Sequence, residues 1–330
     1  MGKVGVIGSG AWGTAMAATA ARAGSETLMW AYEAEVVQAI NETHENSIFL
    51  PGVPLDEAIR ATGDMAELVD CDFILMVCPA QFMRPISSQL AAHLGPDIPL
   101  VICAKGIEKG SGALMSDVLG ETAPDNPLAI LSGPTFASEV ARGQPAAVTI
   151  AAATEDIARR IAEALGHAAF RPYWTDDIIG AQIGGALKNV LAIACGIAVG
   201  KELGENTKAM LITRGMAELT RFGEFKGARA ETLMGLSGLG DLILTCSSEQ
   251  SRNMSLGVAL GRGKTMEEVM STRRSVAEGV HSSVIGYEIA EKNNINMPIL
   301  SAVHAVLHQG LGVDDAIEGL LNRPFTREMH

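Results

Sequence analysis

The sequence predicts an α/β protein in which a doubly wound parallel sheet is followed by an all-helical region. Three observations support this fold class. A glycine-rich turn follows the first apolar run, short apolar runs alternate with helical segments through the first half of the chain, and the signals for strands stop near Asp177. We therefore expect two domains, residues 1–177 with the sheet and residues 178–330 with helices, since 330 residues exceed one small core.

The composition limits the partners and the compartment. The formal net charge of -13 argues against a nucleic-acid or anionic-membrane partner, because either needs a surplus of Lys and Arg. The five cysteines lie in apolar runs without a Cys-x-x-Cys spacing, so we expect buried thiols in a reducing compartment. The chain starts with a strand rather than a signal peptide, and the apolar run at residues 190–199 is too short to span a membrane. These features predict a soluble, cytoplasmic protein.

The first motif predicts a phosphate-binding turn. The apolar run at residues 4–7 is followed by Gly8, Ser9, Gly10, Ala11, Trp12 and Gly13. The first glycine permits a tight turn, the second lets a pyrophosphate approach the backbone, and the third lets the next helix pack close to the strand. We expect that helix at residues 14–23, with Gly24 as its C-terminal cap and its N-terminal amides facing the phosphate.

The end of the second strand predicts which dinucleotide binds. This strand, residues 27–32, ends where the adenosine ribose lies in such a unit. Tyr32 and Glu33 occupy this end, and no Lys or Arg occurs between Arg22 and Arg60. The sequence offers no cation for a 2′-phosphate, whereas the Glu33 carboxylate can accept a hydrogen bond from a free 2′-hydroxyl. We therefore predict NAD as the cofactor in preference to NADP; the alternative is that Glu33 is a solvated charge at a helix start.

Polar or small residues directly follow the next buried strands, which we expect at residues 73–78, 100–104 and 128–131. Lys105 follows the second of these strands, and Gly133 and Thr135 follow the third. Ligands bind at the carboxyl ends of such strands, so Lys105 is a candidate site residue; the alternative is a lysine that reaches solvent from a strand end. Later strands are expected at residues 148–150 and 168–171, flanking a helix at residues 154–165.

The first helix of the second half carries a candidate proton donor. Residues 178–199 are apolar nearly all round except for Gln182, Lys188 and Asn189, as in a buried helix. A lysine in such a helix needs either a lowered pKa or an anionic partner, and both are properties of a working proton donor. The alternative is a lysine that reaches solvent at the helix edge.

The remaining segments predict helices and one further polar cluster. We expect a helix capped by Asn206 and Thr207 that ends at Gly223, and then a second glycine-rich turn at residues 235–241. Arg252 and Asn253 form a donor-rich pair suited to a phosphoryl group. The alternative is that both are ordinary polar residues on the surface of a helix. Three more helices are expected, at residues 280–292, 298–308 and 314–321.

We expect no metal site. His304 and His308 have the spacing of helical metal ligands, but Ala305 stands where zinc proteases carry their glutamate.

Taken together, these segments resemble the NAD(P)-dependent glycerol-3-phosphate dehydrogenases of bacterial type. The resemblance covers nearly the whole chain, and the order and spacing of the motifs make it specific. It rests on GSGAWGTA at residues 8–15, FLPG at 49–52, AKG at 104–106, GPTFA at 133–137, LKN at 187–189, GLGD at 238–241, SRN at 251–253 and VAEG at 276–279.

The resemblance implies a Rossmann-type doubly wound domain followed by an all-helical substrate domain, an arrangement of the 6-phosphogluconate-dehydrogenase-like type. It also implies the reduction of dihydroxyacetone phosphate to sn-glycerol 3-phosphate by hydride transfer from NAD(P)H, feeding glycerophospholipid synthesis. By resemblance, Lys188 is the proton donor, Asp241 orients this lysine and the substrate hydroxyl, and Lys105 lies at the cofactor and the substrate.

Further binding residues follow from the same resemblance. Arg252 and Asn253 would hold the substrate phosphate, with Ser251, Gly133 and Thr135 completing the pocket. The residues implied at the cofactor are Gly8, Ser9, Gly10, Ala11, Trp12, Gly13, Tyr32, Glu33, Phe49, Lys105, Ala137, Arg252, Val276 and Glu278. The sequence departs from the family at Tyr32, where members often carry a basic residue, and this bears on the use of NADP.

Two rival functions come from other classes. A β-hydroxyacid dehydrogenase of related architecture carries a lysine and an asparagine four positions apart on its inter-domain helix, but Ala192 stands four positions after Lys188. A non-catalytic dinucleotide sensor would not need Lys105, Lys188 and Asp241 together. The long apolar helices are also compatible with a homodimer.

Overall fold

The computed structural model describes residues 2–271 and 277–328. The chain forms two compact units, Met1–Gln182 and Ile183–His330.

The first unit is built around one eight-stranded sheet. Its strands are β1 (Lys3–Ile7), β2 (Glu26–Trp30), β3 (Ile59–Thr62), β4 (Phe73–Met76), β5 (Leu100–Ile102), β6 (Leu128–Ser132), β7 (Ala146–Ala152) and β8 (Phe170–Thr175). Their order is β3-β2-β1-β4-β5-β6-β7-β8. The first six strands pair in parallel, and β7 runs antiparallel to β6. The order of those six strands is that of a doubly wound dinucleotide-binding sheet, so the predicted fold class is confirmed.

Both faces of the sheet are buried at its central strands, such as β4 and β5, which explains the continuous apolar runs in the sequence. On β4, Phe73 and Leu75 lie in one hydrophobic core, and Ile74 and Met76 lie in a second one. Successive side chains of a strand point to opposite faces, so a strand covered on both sides needs apolar residues at every position.

Several strand limits differ from the predicted ones. β3 was not predicted, because its four residues include the exposed Arg60 and give too short a pattern. β2 ends at Trp30 rather than at Tyr32, whose side chain is exposed. The predicted strand at residues 148–150 is seven residues long, and that at residues 168–171 begins at Phe170 and continues through Thr175. The residues added to β7 are all alanines, which are depleted in strands, and those added to β8 include the exposed Tyr173 and Trp174.

The helices of the first unit lie between the strands. They are α1 (Ala11–Arg22), α2 (Ala34–Thr43), α3 (Met83–Ala91), α4 (Met115–Thr122), α5 (Ala137–Ala141) and α6 (Glu155–Leu165), with 3-10 helices at Met65–Asp70 and Ala80–Phe82. α1 begins at Ala11 rather than at the predicted residue 14, so Gly13 lies inside the helix. Gly24 follows the end of α1 with a φ of 91°, a conformation that glycine adopts without strain.

The second half of the chain is helical in its described residues. Its helices are α7 (Ile178–Gly200), α8 (Gly204–Lys226), α9 (Ala230–Leu233), α10 (Asp241–Ser247), α11 (Arg252–Gly261), α12 (Met266–Ser271), α13 (Glu278–Lys292), α14 (Pro298–His308) and α15 (Val313–Leu321), with a π-helix at Leu236–Gly240. The three C-terminal helices lie within two residues of their predicted limits.

Three predictions for the second half are wrong. α8 begins at Gly204 after the N-cap residue Leu203, so Asn206 and Thr207 lie inside the helix and do not cap it. α8 does not end at Gly223 but continues to Lys226, and Gly227 follows with a φ of 93°. Gly223 serves packing instead, since a Cβ there would lie 2.6 Å from Leu233 Cδ1. Residues 235–241 are not an open turn, because they form the π-helix and the start of α10. A Cβ at Gly238 would lie 1.9 Å from a carbonyl oxygen, so this glycine lets two backbone segments touch.

Helices α7 and α11 meet at backbone contact along four glycines. A Cβ at Gly196 of α7 would lie 2.2 Å from a carbonyl oxygen of α11, and one at Gly257 of α11 would lie 2.1 Å from a carbonyl oxygen of α7. Gly200 and Gly261 repeat this arrangement one turn further on, at 2.4 Å each. We refer to these four residues as the glycine seam.

α7 covers the predicted helix at residues 178–199 and one residue more, so it is longer than the apolar run at residues 190–199 alone. By length and composition it could cross a membrane, since its most apolar window has a mean hydropathy of 1.7. However, 83% of that window is buried inside the folded chain, as in the core helix of a soluble protein.

The cysteines are free and buried, as predicted. Burial raises the pKa of Cys71 to about 11 and that of Cys78 to about 12, so these thiols stay protonated at neutral pH.

The two histidines with metal-ligand spacing make other contacts. His304 stacks on Tyr287 with ring centroids 4.1 Å apart, and His308 Nε2 lies 3.0 Å from Ser283 Oγ. Across residues 2–271 and 277–328, no group of three or more His, Cys, Asp or Glu is arranged to hold a metal ion.

Candidate active site

The glycine turn that joins β1 to α1 is closely packed at Gly8 and Gly13 and open at Gly10. Gly8 has a φ of 111°, and a Cβ at Gly13 would lie 1.9 Å from the Gly8 carbonyl oxygen. Both positions therefore require glycine for the fold itself. At Gly10, in contrast, a Cβ would have nothing within 4 Å. The turn leaves room above Gly10, next to the first-turn amides of α1, and a pyrophosphate needs both.

A buried asparagine ties the glycine turn to the segment that carries Phe49. Asn46 Nδ2 donates to the Ser9 carbonyl oxygen (2.7 Å) and to Thr14 Oγ1 (2.8 Å), and its Oδ1 accepts from the Phe49 amide (3.1 Å). Sequence reasoning missed Asn46, because no local pattern shows that an asparagine in a loop faces two other segments.

Glu33 lies beside the glycine turn. It is the N-cap of α2, and its carboxylate accepts a hydrogen bond from Ser9 Oγ at 3.3 Å. Tyr32 is 84% exposed and packs edge-on against Trp30. The strand end thus presents a carboxylate next to the turn and an aromatic ring to solvent.

Lys105, Gly133 and Thr135 lie together at the carboxyl ends of β5 and β6. Lys105 Nζ donates to the Gly133 carbonyl oxygen at 3.1 Å, and Thr135 Oγ1 donates to the same oxygen at 3.3 Å. Gly133 is required by close packing, since a Cβ there would lie 2.9 Å from Val148 Cα. Ala137 begins α5 shortly after. The structure therefore brings together residues that the sequence placed at the ends of two neighbouring strands.

In the second unit, Lys188 of α7 is buried with a carboxylate partner. Its Nζ donates to Asp241 Oδ1 at 2.5 Å and to Thr245 Oγ1 at 2.8 Å. Lys188 is 7% exposed and Asp241 is fully buried. The sequence required either an anionic partner or a lowered pKa for this lysine, and the structure shows the partner.

The π-helix before α10 explains how Asp241 comes to lie beside α7. The π-helix packs so closely on α7 that a Cβ at Gly184 would lie 2.3 Å from the Ser237 carbonyl oxygen. Asp241 follows as the first residue of α10, and Thr245 lies one turn later on the same face. Sequence reasoning missed Thr245, although its spacing of four from Asp241 is a detectable signal.

The start of α11 forms a second polar cluster. Ser251 caps this helix, since its Oγ accepts from the Met254 amide at 3.3 Å. Arg252 is exposed at the first helical position, whereas Asn253 is buried and its Oδ1 accepts from the Gly279 amide at 2.8 Å. Both residues lie on the helix that contacts α7 through the glycine seam.

The first two residues of α13 connect this cluster to α7. Glu278 Oε2 accepts a hydrogen bond from Asn189 Nδ2 at 3.2 Å. A residue of α13 therefore fixes the side chain of Asn189, which directly follows Lys188. A Cβ at Gly279 would lie 2.7 Å from the Asn189 carbonyl oxygen. Val276, also predicted at the cofactor, lies outside the described residues.

Comparisons with known proteins identify the family of this chain. The family model described as the NAD-dependent glycerol-3-phosphate dehydrogenase N-terminus matches residues 3–158, and that for the C-terminus matches residues 177–318. Proteins named glycerol-3-phosphate dehydrogenase (NAD(P)+) from Parvibaculum lavamentivorans and Caulobacter vibrioides are 56% and 55% identical over 326 residues. Each alignment covers 99% of this chain and 98% of the relative.

Solved structures show the same similarity in three dimensions. The glycerol-3-phosphate dehydrogenase of Coxiella burnetii superposes with a TM-score of 0.92 at 36% identity, covering 98% of this chain and 99% of that one. The enzyme from Saccharomyces cerevisiae gives 0.85 at 28% identity, covering 96% and 98%.

The fold and the comparisons define a dinucleotide-dependent oxidoreductase with a Rossmann-type domain and a helical second domain. More particularly, this chain belongs to the NAD-dependent glycerol-3-phosphate dehydrogenase family. The predicted resemblance is confirmed, and neither a β-hydroxyacid dehydrogenase nor a non-catalytic dinucleotide sensor is favoured.

Proposed function

We propose that this chain reduces dihydroxyacetone phosphate to sn-glycerol 3-phosphate, the head-group precursor of phospholipids, in the cytoplasm. Membership of the family supports the reaction class. The observation that carries the proposal is the buried cluster of Lys188, Asp241 and Thr245, because reduction of a ketone requires a proton donor held at a fixed position.

Lys188 is the proton donor in this proposal. The carbonyl oxygen of the substrate gains negative charge as it is reduced, and a proton from Lys188 Nζ neutralises it; in the reverse direction the amine takes that proton back. Asp241 favours the protonated form of the lysine, and together with Thr245 it fixes the direction of two of the three N–H bonds. Asp241 also orients the substrate hydroxyl.

Arg252 and Asn253 bind the substrate phosphate. A guanidinium donates two parallel hydrogen bonds to a phosphoryl group, and the start of α11 adds the partial positive charge of a helix N-terminus. The Gly279 amide orients the Asn253 side chain through its Oδ1. Ser251, Gly133 and Thr135 complete the substrate residues, and Lys105 serves both ligands.

The first unit holds the dinucleotide, which supplies the hydride when bound. Residues 1–177 act as the dinucleotide-binding domain and residues 178–330 as the substrate-binding domain. Gly8, Gly10 and Gly13 cradle the pyrophosphate, and the open space above Gly10 supports this role. The other residues at the cofactor are Ser9, Ala11, Trp12, Tyr32, Glu33, Phe49, Lys105, Ala137, Arg252, Val276 and Glu278.

We also propose NAD as the preferred form of the cofactor. Glu33 lies beside the turn and already accepts a hydrogen bond from Ser9, so it is oriented to accept another from a ribose hydroxyl. A 2′-phosphate at the same place would meet a carboxylate rather than a cation. A homodimer is the assembly that we propose for the enzyme.

Substitution of Lys188 and Arg252 tests the two roles separately. Lys188→Met keeps most of the apolar stem and should lower kcat by about 10²- to 10⁴-fold, the usual contribution of a positioned proton donor, with NADH binding nearly unchanged. Arg252→Ala should chiefly raise KM for dihydroxyacetone phosphate, and Arg262→Ala at the exposed end of the same helix is the control. NADH oxidation followed by absorbance measures both, and near-normal turnover of Lys188→Met would refute the assignment.

A further inference from the structure

The loop that carries Lys105 folds back on itself directly after β5. Ile107 pairs with Leu114 in an antiparallel bridge, and the Glu108 amide donates to the Ala113 carbonyl oxygen at 2.9 Å. Ile107 is buried, so the loop is anchored in the core two residues after Lys105. We call residues 105–114 the lysine loop.

Gln81, in the 3-10 helix that follows β4, binds the backbone of this loop with both ends of its amide group. Its Nε2 donates to the Ile107 carbonyl oxygen at 2.8 Å, and its Oε1 accepts from the Lys109 amide at 3.0 Å. One side chain thereby satisfies a donor and an acceptor on either side of Glu108. Gln81 itself is exposed, so its two hydrogen bonds are not a by-product of core packing.

Neighbours of Gln81 hold the same loop. Arg84 of α3 forms a bidentate pair with Glu108, with Nε and Nη2 each 2.8 Å from a carboxylate oxygen. Gly106 packs so closely on Ala80 that a Cβ there would lie 2.8 Å from the Ala80 Cβ. Three successive residues after Lys105 are thus fixed by the segment that follows β4.

The other end of Lys105 is also held, because its Nζ donates to the Gly133 carbonyl oxygen. A side chain with four rotatable bonds points in one direction only when its backbone and its tip are both restrained. The Gly133 oxygen restrains the tip, and the contacts from residues 80–84 restrain the backbone.

We propose that Gln81 is a positioning residue that fixes the backbone from which Lys105 projects. The inference rests on the proposed role of Lys105 at the cofactor and the substrate. Loss of Gln81 leaves the lysine loop attached through Ile107 and Arg84 but free to shift between them, and misplacement of a catalytic group by about 1 Å is enough to lower a rate roughly 100-fold.

Kinetics of Gln81→Ala in two backgrounds test the proposal. In the wild-type background, Gln81→Ala should lower kcat/KM about 10- to 100-fold. The exposed Gln89 of α3 offers a matched control, and Gln89→Ala should leave kcat/KM and the melting temperature unchanged. The melting temperature of Gln81→Ala should lie close to that of this control, since Gln81 buries little surface.

The Lys105→Ala background separates positioning from a general structural role. If Gln81 acts through Lys105, then Gln81→Ala should change kcat/KM by less than about twofold when Lys105 is already absent. An equal loss in both backgrounds, or normal activity of Gln81→Ala alone, would overturn the inference and leave the proposed function intact. Normal activity of Lys105→Ala would overturn both the role of Lys105 and the inference that rests on it.

Discussion

Removal of the carboxylate of Asp241 should cost both stability and activity, because it leaves the ammonium of Lys188 buried without its partner. Asp241→Asn keeps the shape of the side chain and removes only its charge. Lys188→Met makes the complementary change. The double variant removes both charges and leaves neither of them buried and unpaired.

The separation and the burial of the two charges determine how much free energy of unfolding each variant should lose. At a separation of 2.5 Å, two unit charges attract by about 7 kcal/mol at an effective dielectric constant of about 20, and the lost hydration of two buried groups offsets part of this. Breaking a buried pair from one side costs about 3–5 kcal/mol. Each single variant should therefore lose about that much free energy of unfolding, and the double variant should lose much less than the sum.

Urea unfolding of the intact enzyme measures this coupling, and the chain provides its own control. Lys201 and Asp314 also lie 2.5 Å apart, but their side chains are 29% and 80% exposed. The equivalent cycle of Lys201→Met and Asp314→Asn should give a coupling below about 1 kcal/mol. Additive losses at Lys188 and Asp241, within about 0.5 kcal/mol, would show that the two charges do not depend on each other and would refute the argument.

Three further predictions concern the cofactor and the core. Gly10→Ala should weaken NADH binding while leaving the melting temperature unchanged, because its Cβ would enter open space where the pyrophosphate is proposed to lie; calorimetric titration of NADH measures this. KM should be lower for NADH than for NADPH, and Glu33→Ala should narrow the difference; a preference for NADPH in the wild type contradicts the role of Glu33. Burial raises the pKa of Glu218 from its ordinary value to about 7, so stability should fall as the pH rises from about 4.5 to 7, and urea unfolding of Glu218→Gln should lack this fall.

The sequence predicted those parts of the site that depend on local pattern. The glycine turn and Lys105 follow apolar strands, and parallel strands place their carboxyl ends at one edge of a sheet. Lys105 and Gly133 follow two such strands, and the Lys105 Nζ lies 3.1 Å from the Gly133 carbonyl oxygen. The need for either an anionic partner or a lowered pKa at Lys188 also followed from the apolar helix around it, and the structure shows the partner.

Other features depend on contacts between distant segments and gave no local signal. Asn46 and Gln81 bind backbone groups of other loops, and nothing in their own neighbourhood shows which carbonyl they face. Gly223 was misinterpreted as a helix end, because a glycine that ends a helix and one that admits a neighbouring side chain look alike in sequence. The identity of Asp241 as the partner of Lys188, 53 residues away, required either the resemblance or the structure.

The glycine seam has a consequence for the synthesis of the chain. α7 is completed before any part of α11 exists, and the ribosome, at about 5–20 residues per second, needs several seconds to add the roughly 60 residues that complete α11. During that interval the 23 residues of α7 lack the backbone surface that covers Gly196 and Gly200 in the finished protein. The speed of translation, and not the stability of the folded enzyme, therefore sets how long this face of the apolar helix waits for its cover.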